Sequence, residues 1–472
     1  MNLYLAKRLK LLPIATVLVL GGCASFTQDG GMTSVSQLTE QRTGQAVSRT
    51  NSAGDASANA GRVADLLKQP LDPNSVVQIA LLNNRGLQSS FAELGVAEAD
   101  YVQAGRMRNP GFSVTHLRDG DSLEMDRSVT FDLIGLLTLP LRSGIEQRRF
   151  EQAKLQAASA AVQLAADARR AFFEAVAARH ASQYMEQVRT AAEASAELAT
   201  SMAKAGNWSK LDQAREQAFY AETIAQVARA RQNEVATREQ LTRLLGLWGQ
   251  DTTFSLPDRL PGLPKVATEI ANLESQAMSQ RLDIQIAKRD AEATASGLGL
   301  TRATGFINVL DAGYANKSQS GQSRENGYSI SLELPIFDWG SAKRAKAEGL
   351  YMAAVNRTAD IAVRARSEVR EAYSAYRTSY DVAKHYRDEI VPLRRKISDE
   401  VLLRYNGMLV SVFELLADAR EQANSVNAAI EAQRDFWIAD TELQGAISGP
   451  GGERGTSSRM RDARSVVAPS KH

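Results

Sequence analysis

The pentapeptide Ala-Arg-Glu-Gln-Ala stands at 214–218 and again at 419–423, about 205 residues later. Around each copy the same parts follow in the same order. A short alternating stretch ends at Leu139-Pro140-Leu141 or Leu334-Pro335-Ile336; then come a long alanine-rich run, a glycine (Gly206, Gly407), the pentapeptide and a closing glycine (Gly246, Gly449). Self-similarity of this kind decides architecture before any single motif does. A period near 200 residues is too long for a solenoid, so the chain reads as an internally duplicated strand-plus-helical-hairpin unit. The copies differ in one spacing. Gly206 precedes its pentapeptide by eight residues and Gly407 by twelve, which predicts a longer second tip.

The alternating stretches are strand-like. Val129, Phe131 and Leu133 interleave with Ser128, Thr130 and Asp132; Tyr328, Ile330, Leu332 and Leu334 interleave with Ser329, Ser331 and Glu333. That is the two-residue period of a strand with one apolar face. Partner strands are expected at 112–117 and 306–316, across polar loops at 118–122 and 317–326. A soluble hairpin buries its apolar face in a core, whereas a barrel strand turns it to lipid and its polar face to a wet lumen. Little else in the chain offers to cover such hairpins, which favours the barrel. Four strands cannot close, and open edges are not tolerated in lipid. The barrel must then be shared: two copies give eight strands, too few for an open channel, and three give twelve.

The alanine-rich runs at 143–203 and 341–403 predict helices of about 60 residues, roughly 90 Å each at ~1.5 Å per residue. Val355, Ala362, Val369, Tyr376, Ala383 and Ile390 recur every seven residues, with Ala365, Ala372 and Ser379 near the partner position. Leu155, Val162 and Val176 form a similar series in the first run. Small residues at heptad positions let helices approach closely. Pro392 should kink the second run. Each run returns through a shorter helix, 209–246 or 410–447, across turns where Gly206-Asn207 and Asn406-Gly407 tolerate left-handed backbone. A helix also opens the first half, from Asp72-Pro73-Asn74-Ser75 to about Arg106, and Asn109-Pro110-Gly111 stops it.

The N-terminus places the chain outside the cytoplasm. Lys7, Arg8 and Lys10 precede the apolar run 11–20, the pattern of a secretory signal. Leu20-Gly21-Gly22-Cys23 resembles a bacterial lipobox, which implies cleavage before Cys23 and a covalent lipid on it; an ordinary signal peptide is the alternative. Ala24 rather than Asp favours outer-membrane sorting. Cys23 is the one cysteine, so neither a disulfide framework nor a cysteine metal site is available. Residues 24–65 are polar and expected to form a tether without order of their own. Net charge is +2, which gives no nucleic acid a bulk electrostatic reason to bind.

In combination these residues resemble a TolC-like outer-membrane efflux protein of the lipoprotein subgroup that serves tripartite pumps. The resemblance covers about 70–449. Its carriers are Ala80-Leu81-Leu82-Asn83-Asn84 with Leu87; Ala277 with Arg281-Leu282-Asp283-Ile284, where the family usually has Pro at the position of Leu282; Asn109-Pro110; Gly206 with Asp212 and Ala214-Arg215; and Tyr405-Asn406-Gly407 with 412–419. It implies a mainly α fold with β: long antiparallel coiled-coil helices forming a periplasmic tunnel, and four strands contributed to a shared transmembrane barrel. It further implies a homotrimer in the outer membrane, a periplasmic adaptor, and an inner-membrane pump of the resistance-nodulation-division type that supplies the energy. No enzyme activity and no cofactor beyond the lipid on Cys23 are implied.

The corresponding domain boundaries are a signal peptide over 1–22, an acylated tether over 23–69, a first repeat over 70–265 (strands about 112–139, helical hairpin about 143–246), a second over 266–449 (strands about 306–335, hairpin about 341–447) and a polar tail over 450–472. By resemblance, Gly206, Asn207, Asn406 and Gly407 sit where adaptor hairpins dock. Glu414 and Asp418 match the family's aperture carboxylates with one extra residue of spacing; a solvated helix face is the competing reading. His116, His180, His385 and His472 show no metal-ligand spacing, and no nucleophile or phosphate-loop motif is present. Tyr373, Tyr376 and Tyr380 read as helix packing. A type I protein-secretion duct and a non-channel periplasmic scaffold lipoprotein remain as alternatives.

Overall fold

The computed structural model describes residues 25–304, 309–333 and 336–449. The signal peptide, Cys23, residues 306–308 of the expected third strand, Leu334-Pro335 and the tail from 450 lie outside the described residues. The chain forms two compact units. One takes residues up to Val35, Ser89–Ala157 and Asp283–Ala362; the other takes Ser36–Gln88, Ala158–Leu282 and the chain from Val363 onward.

In chain order the elements are helices α1 (Met32–Thr43), α2 (Ala53–Leu67), α3 (Pro73–Asn83) and α4 (Arg85–Ala104); strands β1 (Gly111–Asp119) and β2 (Ser122–Asp132); and helices α5 (Leu133–Lys204) and α6 (Lys210–Leu245). Then follow α7 (Leu273–Gln280), α8 (Leu282–Ala303), β3 (Leu310–Gln319), β4 (Glu325–Leu332), α9 (Ser341–His385), a π turn at Tyr386–Ile390, α10 (Val391–Asn406) and α11 (Val412–Ser448). Each half thus runs short helices, hairpin, long helix, return helix.

The first unit carries one antiparallel sheet in the order β1-β2-β3-β4. Paired residues of an antiparallel ladder share a face, so the register sorts the side chains. One face holds Phe112, Val129, Tyr314 and Tyr328 in a row, with Phe131, Ala312 and Ile330 in the next. The other holds Ser113, Ser128, Ala315 and Gly327, then Thr130, Gly313 and Ser329, with Glu124, Asp126 and Lys317 nearer the hairpin ends. The apolar face is bare: Tyr328 is 90% and Ile330 77% exposed. β1 and β4 are edges with no further strand beside them among the described residues.

The strand expected to reach residue 139 stops at Asp132. The Asp132 carboxylate accepts from the Gly135 backbone N–H at 2.5 Å, the side-chain cap that starts a helix. Leu133–Leu141 therefore belong to the 72-residue α5, and Pro140 lies inside it. The expected kink at Pro392 takes a specific form. Proline has no N–H and crowds the carbonyl four residues back, and the five residues Tyr386–Ile390 widen into a π turn just before it. Wider turns of this kind re-route the hydrogen bonds that proline interrupts.

The second unit holds the cores. Phe172, Val176, Leu241, Leu245, Ile79 and Leu82 are all within 8% of full burial, and small residues at Ala168, Ala171 and Ala175 let the helices approach closely. The heptad series is buried where the chain itself supplies a partner, at Ala365, Val369, Tyr376 and Ala383, and exposed at Val355.

The segment expected to lack order is ordered. α2 begins with a Ser52–Asp55 capping box, and Val63 is 3% exposed. The Arg42 guanidinium donates to the Ser448 carbonyl at 3.0 Å and the Gln280 carbonyl at 2.7 Å. The Gln88 side chain accepts from the Thr50 N–H at 2.9 Å. Composition measured what 24–65 could bury in itself; the segment instead buries Val47 and Val63 against the body.

Candidate functional site

The two tips are built alike. At the first, the Asn207 N–H donates to the Met202 carbonyl at 2.9 Å and the Gly206 N–H to the Ala203 carbonyl at 3.1 Å, with Gly206 at φ +79°. This paired pattern is the usual helix ending with a left-handed residue. At the second tip the same two bonds run from Leu409 to Arg404 at 2.8 Å and from Met408 to Tyr405 at 2.9 Å. The left-handed residue is therefore Met408, at φ +60°, and not Gly407, whose φ is −81°. The expectation that Gly407 supplies the left-handed backbone is corrected by one position.

A side chain in that conformation costs about 1–2 kcal/mol. Met408→Gly should therefore tighten the tip, by about 1 kcal/mol after the extra chain entropy of glycine. The amides of Met408 and Leu409 should then exchange about fivefold more slowly; unchanged exchange would refute the strain.

The return helices start alike too. Ser209 caps α6 by accepting from the Asp212 N–H, and Ser411 caps α11 by accepting from the Glu414 N–H. Three residues separate left-handed residue and cap in both halves, so the second tip is not longer. The extra spacing before the second pentapeptide lies inside α11 as nearly one helical turn.

Trp208 beside the first tip and Phe413 beside the second stack at 4.6 Å between ring centroids, 17° apart in plane. Above them the two pentapeptides meet. Glu216 of the first copy, 3% exposed, accepts from the Ser195 hydroxyl at 2.8 Å and from the Arg420 guanidinium of the second copy at 2.7 Å. Arg420 also lies 4.0 Å over the Phe219 ring. The repeat that organises the sequence is thus an ion pair between its own copies. The opposite charges were legible in the sequence; which of them meet was not.

Of the aperture candidates, Glu414 is exposed in the first turn of α11, where the helix dipole favours an anion. Asp418 is half-buried and accepts a short hydrogen bond from the Ser398 hydroxyl on α10. Of the docking candidates, Gly206, Asn207, Asn406 and Gly407 are all exposed. Sequence reading missed their neighbours Met408 and Leu409, which are 94% and 78% exposed and give the second tip an apolar point.

The motifs that carried the resemblance have structural work. The amides of Asn83 and Asn84 donate to the carbonyls of Leu245, Gly246 and Leu244 at 3.1, 2.7 and 2.9 Å, satisfying the last turn of α6. Gly246 turns left-handed there, at φ +66°, and a Cβ on it would sit 2.9 Å from the Asn83 carbonyl. In the second half Arg281 has the matching task. It is 1% exposed, donates to the Ala446 carbonyl near the end of α11 at 3.2 Å and pairs with Glu368 at 2.7 Å.

The tyrosines pack as expected and also hold the segment that joins the halves. Tyr376 Oη accepts from the Thr268 N–H at 2.9 Å, and Tyr380 Oη donates to the Lys265 carbonyl at 2.9 Å. Among the histidines, His385 faces Glu389 at 3.2 Å, and burial, then the nearby Arg259 charge, lowers the pKa of His180. Among the described residues no group of three or more His, Cys, Asp or Glu is placed to hold a metal ion, and no helix is long and apolar enough to cross a membrane.

No family model and no curated protein sequence matches the chain. Solved structures do. The CmeC outer membrane channel of Campylobacter jejuni aligns with a TM-score of 0.70 at 17% identity, over 83% of this chain and 88% of that one. A membrane protein from Pseudomonas aeruginosa aligns at 0.69 and 21% identity, over 79% and 93%. The open state of the MtrE outer membrane channel of Neisseria gonorrhoeae aligns at 0.66 and 18%, over 80% and 88%. At such identities the likeness is one of architecture: the chain has the TolC-like fold of the outer-membrane efflux channels.

Proposed function

We propose that this chain is an outer-membrane exit duct of a tripartite efflux system, a homotrimer that conducts substrate passively from a periplasmic adaptor and an inner-membrane pump. The observation that carries this reading is the four-stranded sheet with one apolar face, one polar face and two open edges. In lipid such edges must be paired, and three copies supply twelve strands. The proposal includes export by the 1–22 signal, acylation of Cys23 and a pump of the resistance-nodulation-division type. The exposed tips, with Met408 and Leu409 at the second, are the surface offered to the adaptor. The lipobox favours efflux over type I secretion, whose ducts usually lack the acyl anchor. Two similar halves give three copies a nearly sixfold tunnel.

Glu414 is proposed to line the periplasmic aperture together with Asp418. A ring of carboxylates at a threefold axis draws cations and narrows the pore. In planar bilayers the purified protein should form cation-preferring channels of low conductance. Glu414→Ala with Asp418→Ala should raise the conductance and weaken the preference. A protein that sediments in detergent as a trimer yet never conducts would point to the scaffold reading instead.

A further inference from the structure

Counted from the left-handed residue of each tip, Glu216 and Asp418 occupy the same place, ten residues on from Gly206 and Met408. They are held alike. Ser195 of α5 donates to Glu216, and Ser398 of α10 donates to Asp418. They differ in what else they meet. The second oxygen of Glu216 takes Arg420 from the other hairpin of the same chain, whereas Asp418 Oδ1 takes no hydrogen bond among the described residues.

The position matching Arg420 on the first hairpin is Ala218, and Arg215 lies three residues before it, on the same face of α6. Arg215 has a 65% exposed side chain and only a loose 3.5 Å pairing with Asp212. Arg420 lies two residues farther from its tip than Glu216 does, and Arg215 one residue nearer its tip than Asp418. At ~1.5 Å of rise per residue, both offsets are within the span of an arginine side chain.

We propose that Arg215 of one copy pairs with Asp418 of the next, so that one Arg–carboxylate link closes the seam between neighbouring chains as Arg420–Glu216 closes the seam within a chain. Such head-to-tail contacts close into a ring when the rotation permits. The inference rests on the trimeric reading above. It gives Asp418 a second task, since a carboxylate tied across the seam holds the tips together, and parting the tips must break three such links.

The test keeps the charge. Arg215→Lys puts an amine where the guanidinium was, and a water-soluble carbodiimide joins amine and carboxylate as an amide only when the two are in contact. The purified trimer in detergent should then run as covalent dimer and trimer on a denaturing gel, with positions 215 and 418 in one cross-linked peptide by mass spectrometry. Adding Asp418→Asn should remove that peptide and most of the ladder, and the chain with native Arg215 should not yield that peptide. A sedimenting trimer that gives no 215–418 peptide, or gives it only within single chains, overturns this inference while leaving the duct reading intact. A native chain that sediments as a monomer overturns the duct reading itself.

Discussion

Arg281→Ala is expected to cost about 3–5 kcal/mol, the usual loss when one partner of a buried ion pair is removed. Its side chain is 1% exposed and satisfies both the Ala446 carbonyl and Glu368. Glu368 is 34% exposed and can recover some hydration, which puts the loss toward the lower end of that range. Heat-induced loss of helix signal should then shift down by roughly 6–10 °C, at 2 °C or more per kcal/mol for a chain of this size. Arg281→Lys keeps the charge but not the fork that reaches two acceptors, so it should recover about half of the loss. If alanine and lysine behave alike and both shift the midpoint by less than 2 °C, the buried pair does not hold α7 to α11.

The motif around Arg281 shows what the sequence made legible. Ala277 and Arg281 were readable as a pattern, as were Asn83 and Asn84, because helix ends need partners and these residues supply them. The strands were readable where apolar and polar residues alternated. They became unreadable at Leu133, where an apolar run begins that fits a strand or a helix equally. The deciding signal was Asp132, a helix cap two residues after Thr130, which the alternation had absorbed as a polar strand position.

Met408 was beyond sequence reasoning for a different reason. A glycine stood next to it, and glycine is where a left-handed residue is looked for first. The helix nevertheless ends one residue later, so that Ser411 can cap α11 in the same geometry that Ser209 gives α6. The order in 36–67 was unreadable because its partners, Gln280 and Ser448, lie more than two hundred residues away. The Glu216–Arg420 pair illustrates the same limit. Both residue types were on view, in both copies, but pairing depends on which face of each helix the tips present, and that is fixed by three residues of extra helix in α11.

Phe436→Ala is expected to cost about 3–5 kcal/mol, as deletion of a fully buried aromatic does, and its effect should reach the segment joining the halves. Phe436 is 1% exposed and touches Tyr376, Tyr380 and Trp437 at centroid distances of 5.6, 5.7 and 5.0 Å. Those three rings carry the polar atoms that hold the joining segment: Tyr376 at Thr268, Tyr380 at Lys265, and Trp437, whose Nε1–H donates to the Pro261 carbonyl at 2.9 Å. A cavity at Phe436 frees the rings to turn, and hydrogen bonds held by rigid rings loosen together. Tyr380→Phe removes one hydrogen bond and keeps the packing, so it should cost only about 1 kcal/mol. Limited trypsin digestion at Arg259 and Lys265 separates the two effects, since cleavage follows the population of the opened segment. Phe436→Ala should speed cleavage there by a hundredfold or more, and Tyr380→Phe by about fivefold. If Phe436→Ala lowers overall stability but leaves cleavage at 259 and 265 unchanged, the aromatic cluster is a core like any other and the joining segment is held by something else.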